Sequence, residues 1–343
     1  MRRRQLKLLR RISTVEQYSW ARDRPSRYNG KAAHAITVQM STSTPEDVKN
    51  VLLTPPKVLS FVEANYVLPS PQTCDFIRRG FNDHYQIAAG DERYIFRVYL
   101  NGKYYIESPE AFQFELDLLT YLHEQELPVA YPISRKDGES LGWTETEFGK
   151  RATALFSYAA GEERNEQLPT PGQCAEIGKT MAAFHLAANS FRSEHQRYHL
   201  DLKYLVEEPL RLIAQQGDEE AQARLASLQP VDELVATVKA LNVDGDEYGI
   251  IHGDLQGGNM HFQGDEVTFF DFDHCAYGWR AYDLTMPLFL PEAQKTAFLQ
   301  GYESLRPLTE SERDSLPTFM KLRKLWDMGD HLATAALRKR PGT

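Results

Sequence analysis

The sequence of 343 residues has no long hydrophobic run, because charged or polar side chains interrupt every apolar stretch. A helix that crosses a bilayer needs roughly 20 consecutive apolar residues, so no membrane-spanning segment is predicted. Cysteine is scarce, and Cys74, Cys174 and Cys275 are odd in number and far apart. Isolated cysteines of this kind are typical of reduced thiols in a cytoplasmic protein. Internal repeats and low-complexity tracts are also lacking.

The composition is that of an ordinary globular chain, with 25% charged and 42% hydrophobic residues. A chain of this length can bury a substantial core and form two lobes. Its formal net charge of −9 disfavours general affinity for nucleic acid, because phosphate backbones are held by an excess of Lys and Arg. We therefore expect neither nucleic acid nor a membrane among its partners.

The charge is unevenly distributed along the chain. Residues 1–39 contain ten Lys or Arg and two acids, a net charge of +8, which leaves −17 for the rest. This basic segment lacks the apolar core of a secretory signal. We interpret it as a disordered extension without catalytic role, or as the result of a translation start placed upstream of Met40. An Arg-rich targeting peptide and an anion-binding segment are alternatives.

Alternating apolar and polar residues predict a small antiparallel sheet after Cys74. Its segments are DFIRRG, HYQIAA and YIFRVYL, separated by the turn-like GFND and AGDE, and then VAYPIS and TALFSYA. Helical spacing is found in STSTPEDVKNVLL, KVLSFVEANYVL and SPEAFQFELDLLTYLHEQEL. Ser108 is the predicted N-cap of the third of these helices.

Helices dominate from Thr170 onward, where Thr170 and Pro171 begin a helix with a single apolar stripe. Further helices are predicted at 201–216, 231–241, 291–304 and 309–337. Only two short strands interrupt them, YGIIH at 248–252 and VTFFDF at 267–272.

These two strands each end in acids or amides. Gly257 and Gly258 let the backbone turn so that Asn259 returns to the side of Asp254, and Asp271 emerges from the end of an apolar strand. Hard cations such as Mg²⁺ take oxygen ligands, commonly one or two protein carboxylates together with substrate phosphates. Asn259 and Asp271 therefore suit a Mg²⁺ ion bound to a nucleotide, which leaves Asp254 to accept a proton.

The segment HGDLQGGN resembles the catalytic loop of the aminoglycoside phosphotransferase and choline kinase superfamily, which is related to protein kinases. FFDFDH resembles the metal-binding strand end of that family. By this resemblance Asp254 would orient and deprotonate an acceptor hydroxyl. Asn259 and Asp271 would bind Mg²⁺, and Asp273 could support the metal site. Asp283 in GWRAYDL would brace the catalytic loop.

Segments in the first half resemble the nucleotide-binding parts of the same family, in the same order. YIFRVYL places Arg97 where the family has a cation that contacts nucleotide phosphates, and FELDLL places Glu115 as its ion-pair partner. RRGFNDHYQI resembles the hairpin that covers the nucleotide, with Asn82 near its turn. ALFSYAAG resembles the hinge between lobes, where the backbone of Ser157 and Ala159 would meet the adenine edge.

The resemblance covers about residues 75–290 and implies an α+β, two-lobed protein-kinase-like fold. In this fold a small N-terminal lobe holds an antiparallel sheet, and a larger C-terminal lobe is mostly helical. We predict a basic extension at 1–39, an N-lobe with leading helices at 40–156 and a C-lobe at 157–343.

The implied function is transfer of the γ-phosphate of Mg-ATP to a hydroxyl of a small molecule, such as an aminoglycoside, choline, ethanolamine or a homoserine-like amino acid. A protein Ser/Thr kinase of the stress-response type is an alternative on the same fold, and a nucleotide-binding pseudokinase scaffold is another. The sequence has no GxGxxG loop, and Asp273 stands where protein kinases have Gly. Because neither the base nor a metal ligand is lost, activity is favoured over a scaffold.

Overall fold

The computed structural model describes residues 52–70, 72–162, 168–228, 230–243, 245–285 and 287–339. The basic segment 1–39 and most of the first predicted helix lie outside these residues. The second predicted helix is present as α1, Pro55–Asn65, with prolines in its first turn. Val58 and Val62 of α1 are fully buried against the neighbouring sheet.

Five antiparallel strands form the sheet of the N-terminal lobe. They are β1 (Gln72–Arg79), β2 (Asp83–Ala89), β3 (Glu92–Val98), β4 (Gly142–Thr146) and β5 (Gly149–Ser157), in the spatial order β1-β2-β3-β5-β4. The predicted meander is confirmed, since β2 pairs with both β1 and β3. Tyr85 and Phe96 lie opposite each other and are buried in the core between the sheet and α1.

One predicted strand is wrong. The segment VAYPIS makes only isolated bridges, Val129 with Phe269 and Pro132 with Phe156. Pro132 has no amide hydrogen to donate to a ladder, so the segment cannot pair as a regular strand. The edge of the sheet is formed instead by β4, a short and largely polar strand that apolar alternation does not reveal.

The helix between β3 and β4 begins later than predicted. This helix, α2, spans Ala111–Glu124. Ser108 lies in a turn before it, in which the amide of Ala111 donates to the carbonyl of Ser108 (3.1 Å). The hydroxyl of Ser108 accepts from the amide of Glu110 (3.2 Å), so it caps this turn and not the helix.

Helices form most of the C-terminal lobe. They are α3 (Pro171–Ala188), α4 (Glu208–Gln216), α5 (Glu219–Ser227), α6 (Val231–Ala240), α7 (Arg280–Asp283), α8 (Glu292–Glu303) and α9 (Glu310–Lys339). α3 begins as predicted, with the side chains of Thr170 and Gln173 capping each other's backbone amides. The predicted helix 201–216 is divided, because Lys203–Glu207 form a π-helical turn next to Pro209, which cannot donate a helical hydrogen bond.

Two small sheets frame the loops that carry the predicted site. β6 (Tyr248–Ile251) pairs with β9 (Ala276–Trp279), and β7 (Met260–Gln263) pairs with β8 (Glu266–Phe269), both antiparallel. The sequence predicted β6 and β8 but missed their partners. The larger core cluster runs from α2 and β5 into α3, α8 and α9, so the two lobes share packing. In the part of the chain that the structure describes, no helix is long and apolar enough to cross a membrane.

Candidate active site

The predicted catalytic loop leaves β6 through Gly253. This residue has φ +81°, and a Cβ there would lie 2.3 Å from the carbonyl oxygen of His274, so only glycine fits. The carboxylate of Asp283 accepts hydrogen bonds from the amides of His252 (2.6 Å) and Gly253 (2.9 Å). The predicted bracing of the loop by Asp283 is therefore present in the structure.

Asp254 follows this turn and is held by two side-chain amides. Nδ2 of Asn259 donates to the backbone carbonyl (2.8 Å) and to the carboxylate (3.2 Å) of Asp254. Nε2 of Gln256 donates to the same carboxylate (3.1 Å). Oδ1 of Asn259 has no hydrogen-bond partner among the described residues, so this oxygen remains available to a cation.

Arg323 of α9, which was not among the predicted site residues, also contacts Asp254. Its Nη2 lies 2.7 Å from Oδ1 of Asp254, and the residue is 2% exposed. Burial raises the pKa of Asp254 to about 7, and Arg323 opposes this increase. Nothing in the sequence links the two residues, which are 69 positions apart; helical periodicity shows only that α9 has a buried face.

Asp271 lies across the cleft and joins the two lobes through Arg97. Nη1 of Arg97 binds Oε1 of Glu115 (2.6 Å), and Nη2 binds Oδ1 of Asp271 (2.9 Å). The predicted ion pair of Arg97 and Glu115 is therefore formed. Burial opposes ionisation of Asp271, but Arg97 and His84 hold the pKa of this carboxyl below its ordinary value. Asp271 is thus an anion that faces the cleft.

Asn82 and Asp273 form a second contact between the lobes, together with Lys103. Nδ2 of Asn82 donates to Oδ2 of Asp273 (3.1 Å), and Nζ of Lys103 donates to the same carboxylate and to Oδ1 of Asn82 (2.9 Å). Burial opposes ionisation of Asp273, and Lys103 lowers its pKa. The side chain of Asn82 is therefore engaged within the protein. Lys103 had no recognisable signal in the sequence.

A pocket of about 800 Å³, partly open to solvent, lies between the sheet and the C-terminal lobe. Arg97, Ser157, Ala159 and Asp271 line it, whereas Asn82 does not. The structure therefore brings four of the predicted residues to one cavity. Asp254 and Asn259 lie outside its lining, on the catalytic loop.

The hinge differs in detail from the prediction. The amide of Ser157 donates to the carbonyl of Tyr131 (2.8 Å), and its hydroxyl accepts from the amide of Tyr131 (3.0 Å). The carbonyl of Ala159 accepts from Nδ1 of His261 (3.0 Å). The amide of Ala159 has no partner within the described ranges, so it is the hinge donor that a bound base could use.

The oxygen atoms near the catalytic loop fit a hard cation. Oδ1 of Asp273 is buried and has no hydrogen-bond partner in the described part of the chain. Asn259 and Asp271 add an amide oxygen and an ionised carboxylate. No group of three His, Cys, Asp or Glu side chains within the described ranges is arranged to hold a metal. The donor set therefore suits Mg²⁺ completed by phosphate oxygens and does not form a closed protein cage.

The two-lobed fold, the cleft and the acids of the catalytic loop define a kinase-like phosphotransferase whose acceptor is a hydroxyl group. The model of the phosphotransferase enzyme family matches residues 73–313, so the chain belongs to this family.

Two relatives align over most of the chain. An uncharacterised protein of Deinococcus radiodurans is 33% identical over 81% of this chain and 82% of its own length. A homoserine kinase of Methylobacillus glycogenes is 28% identical over 70% of this chain and 73% of its own.

Solved structures share the fold. The amicoumacin kinase hAmiN, in complex with AMP-PNP, Ca²⁺ and Ami, aligns with a TM-score of 0.69 and 21% identity, over 87% of this chain and 96% of its own. A microcompartment-associated aminopropanol kinase aligns with a TM-score of 0.66 and 22% identity, over 82% of this chain and 93% of its own.

Proposed function

We propose that this protein transfers the γ-phosphoryl group of ATP to a hydroxyl of a small molecule that also carries an amine, such as an aminoglycoside, choline, ethanolamine or a homoserine-like amino acid. The position of Asp254 supports this proposal most directly, because its carboxylate sits on a loop braced by Asp283, beside the amide of Asn259. A relative and a structural neighbour of this chain are named as kinases of homoserine and of aminopropanol. Both of these compounds are amino alcohols. We place this activity in the cytoplasm.

In the proposed reaction Asp254 takes the proton of the acceptor hydroxyl. The acceptor oxygen forms a bond to the γ-phosphorus, the bond from this phosphorus to the bridging oxygen breaks, and ADP leaves. A bound Mg²⁺ would neutralise phosphate charge. Asn259 and Asp271 would hold it, with Oδ1 of Asp273 as a further candidate oxygen.

The cleft residues are proposed to bind the nucleotide. Arg97, held by Glu115 at 2.6 Å, would contact the phosphates, and the hinge around Ser157 would contact the base through the amide of Ala159. The engaged side chain of Asn82 favours an indirect role, in which it orients Asp273.

The test is Mg-ATP with a panel of aminoglycosides, choline, ethanolamine, homoserine, neutral sugars and a protein extract. Release of ADP and the mass of the product identify the acceptor. Phosphate found on protein and on no small molecule would support the alternative of a protein kinase. Mg-ATP binding without transfer to any member of the panel would support the alternative of a scaffold.

Asp254→Asn should lower kcat by about 10²- to 10⁴-fold, the usual contribution of a general base, while the affinity for Mg-ATP stays close to that of the unmodified protein. The matched control is Asp265→Asn, which changes an exposed carboxyl in the neighbouring β7–β8 turn. Near-normal turnover of Asp254→Asn would contradict the assignment of the base.

A further inference from the structure

One buried carboxylate on α9 takes no part in the proposed phosphoryl transfer. Asp330 is 2% exposed. Arg323, Trp326 and Asp330 are spaced by three and four residues, so they lie along one face of the helix. Because Arg323 contacts Asp254 at 2.7 Å, this face borders the catalytic loop. Asp330 therefore lies about two helical turns from the residue that holds the proposed base.

The carboxylate of Asp330 makes no hydrogen bond or ion pair with any residue that the structure describes. The buried cations nearby are engaged, Arg323 with Asp254 and Lys103 with Asp273. Burial raises the pKa of Asp330 well above its ordinary value, and Lys103 only partly opposes this increase. Burial therefore disfavours the ionised form of Asp330, and a cation bound beside it would favour that form again.

Aromatic side chains with unused polar atoms pack around this face of α9. Trp326 lies 5.0 Å from the ring of His274 and 6.4 Å from the ring of Tyr105. Burial raises the pKa of Tyr104, and the charge of Asp330 raises it further. The hydroxyl of Tyr104 therefore lies close enough to Asp330 to interact with it electrostatically. Four buried polar atoms have no hydrogen-bond partner among the described residues: Oη of Tyr104, Tyr105 and Tyr282 and Nε1 of Trp326.

Buried polar groups in folded proteins are nearly always satisfied, so a concentration of unused ones indicates a bound molecule or water. Aromatic faces attract cations, and a carboxylate supplies the charge that an ammonium group needs. Tyrosine hydroxyls add acceptors for its hydrogens. This combination suits an alkylammonium group and offers no cation to an anionic ligand.

We propose that Asp330 binds the ammonium group of the acceptor and thereby selects amino alcohols over neutral alcohols. The inference rests on the proposed function, because it places the hydroxyl of the same acceptor at Asp254. Asp330 contacts a part of the acceptor that does not react, so it determines specificity and takes no part in proton transfer.

The experiment compares acceptors that differ only in the amine: 3-aminopropan-1-ol with butan-1-ol, homoserine with 4-hydroxybutanoate, and glucosamine with glucose. The unmodified protein should prefer the amine of at least one pair in kcat/KM. Asp330→Asn should raise KM for that amine by about 30-fold or more, as expected when one partner of a buried charge pair is removed. Its kcat should change much less, and turnover of the neutral partner should stay the same. The control is Asp314→Asn, which alters an exposed acid of the same helix.

The outcomes separate this inference from the proposed function. Transfer to hydroxyls without preference for the amine in any pair would overturn the inference and leave the function standing, and this comparison needs no variant. A preference that survives Asp330→Asn would also overturn it. If Mg-ATP is neither bound nor consumed with any acceptor, the proposed function itself fails and the inference fails with it.

Discussion

At the scale of single residues, the base candidate combines a buried carboxyl with a neighbouring cation. Burial raises the pKa of Asp254 from 3.8 to about 7, against the effect of Arg323. A base with a pKa near the working pH is well suited to proton transfer. The folded protein holds this proton more tightly than the unfolded chain. The contribution of Asp254 to the free energy of unfolding therefore falls as the pH rises between these two values.

The pH dependence of turnover follows from the same contact. Since Asp254 acts as a base only when ionised, kcat/KM should fall as the pH drops through about 7. Arg323→Gln removes a cation that lowers this pKa, so the acid limb should move to higher pH. The exposed Arg313→Gln on the same helix is the control. An acid limb that stays in place in Arg323→Gln would show that another group controls it.

The residues that could be predicted are those whose partners are close in sequence. Asp254, Asn259 and Asp271 fall within one short stretch, so spacing alone brings them together. Arg323 and Lys103 could not be found in this way, because their partners lie 69 and 170 positions away. A buried cation in an amphipathic helix or a loop has the same local pattern as a solvated one, and only the tertiary structure shows what it contacts.

At the scale of elements, α3 and α8 pack against each other at very short distance, at a point where each helix carries a glycine. A Cβ at Gly301 of α8 would lie 1.9 Å from the carbonyl oxygen of Ala175 in α3. A Cβ at Gly178 of α3 would lie 2.0 Å from the carbonyl oxygen of Phe298. α3 also carries His185, which bonds to Asp283 at 3.2 Å, so this crossing supports the brace of the catalytic loop.

Gly301→Ala tests this close packing, because helix propensity and steric overlap change the free energy of unfolding in opposite directions. In an open helix this change stabilises by about 0.5–1 kcal/mol. Here the added methyl group meets backbone, so the free energy of unfolding should instead decrease by about 1–3 kcal/mol. Chemical denaturation measures the change, and Gln300→Ala on the exposed face of α8 is the control. A Gly301→Ala variant more stable than the unmodified protein would refute the close packing.

Elements with strong periodicity were predicted and short polar ones were not. The amphipathic stripe of α3 and the alternation in β1 to β3 are local signals, and both correspond to observed elements. β7 and β9 have four residues each and form because β8 and β6 provide partners. β9 lies far from β6 in the sequence, so their pairing is a tertiary event that residue patterns do not encode. β7 and β8 instead form a hairpin around the two-residue turn Gly264–Asp265, a local signal that the prediction overlooked.

At the scale of the whole molecule, two buried ionic clusters connect the lobes across the cleft. One joins Arg97 to Glu115 and Asp271, and the other joins Lys103 to Asp273 with Asn82. In each cluster a cation of the N-terminal lobe meets an acid that directly follows β8. Both therefore couple lobe arrangement to the acids proposed to hold the metal.

Lys103→Met should lower the free energy of unfolding by about 3–5 kcal/mol at neutral pH, because it leaves Asp273 buried and ionised without its cation. Asp273 normally has a lowered pKa, so its ion pair stabilises the fold at neutral pH and is lost in acid. The deficit of Lys103→Met should therefore shrink as the pH falls, and adding Asp273→Asn should recover part of the loss. Urea titrations at several pH values measure both effects, with the exposed Lys57→Met as control.

A pH-independent deficit would mean that Lys103 stabilises the lobes by packing alone. If the pair also orders the metal site, KM for Mg-ATP should rise in Lys103→Met under conditions where the variant remains folded.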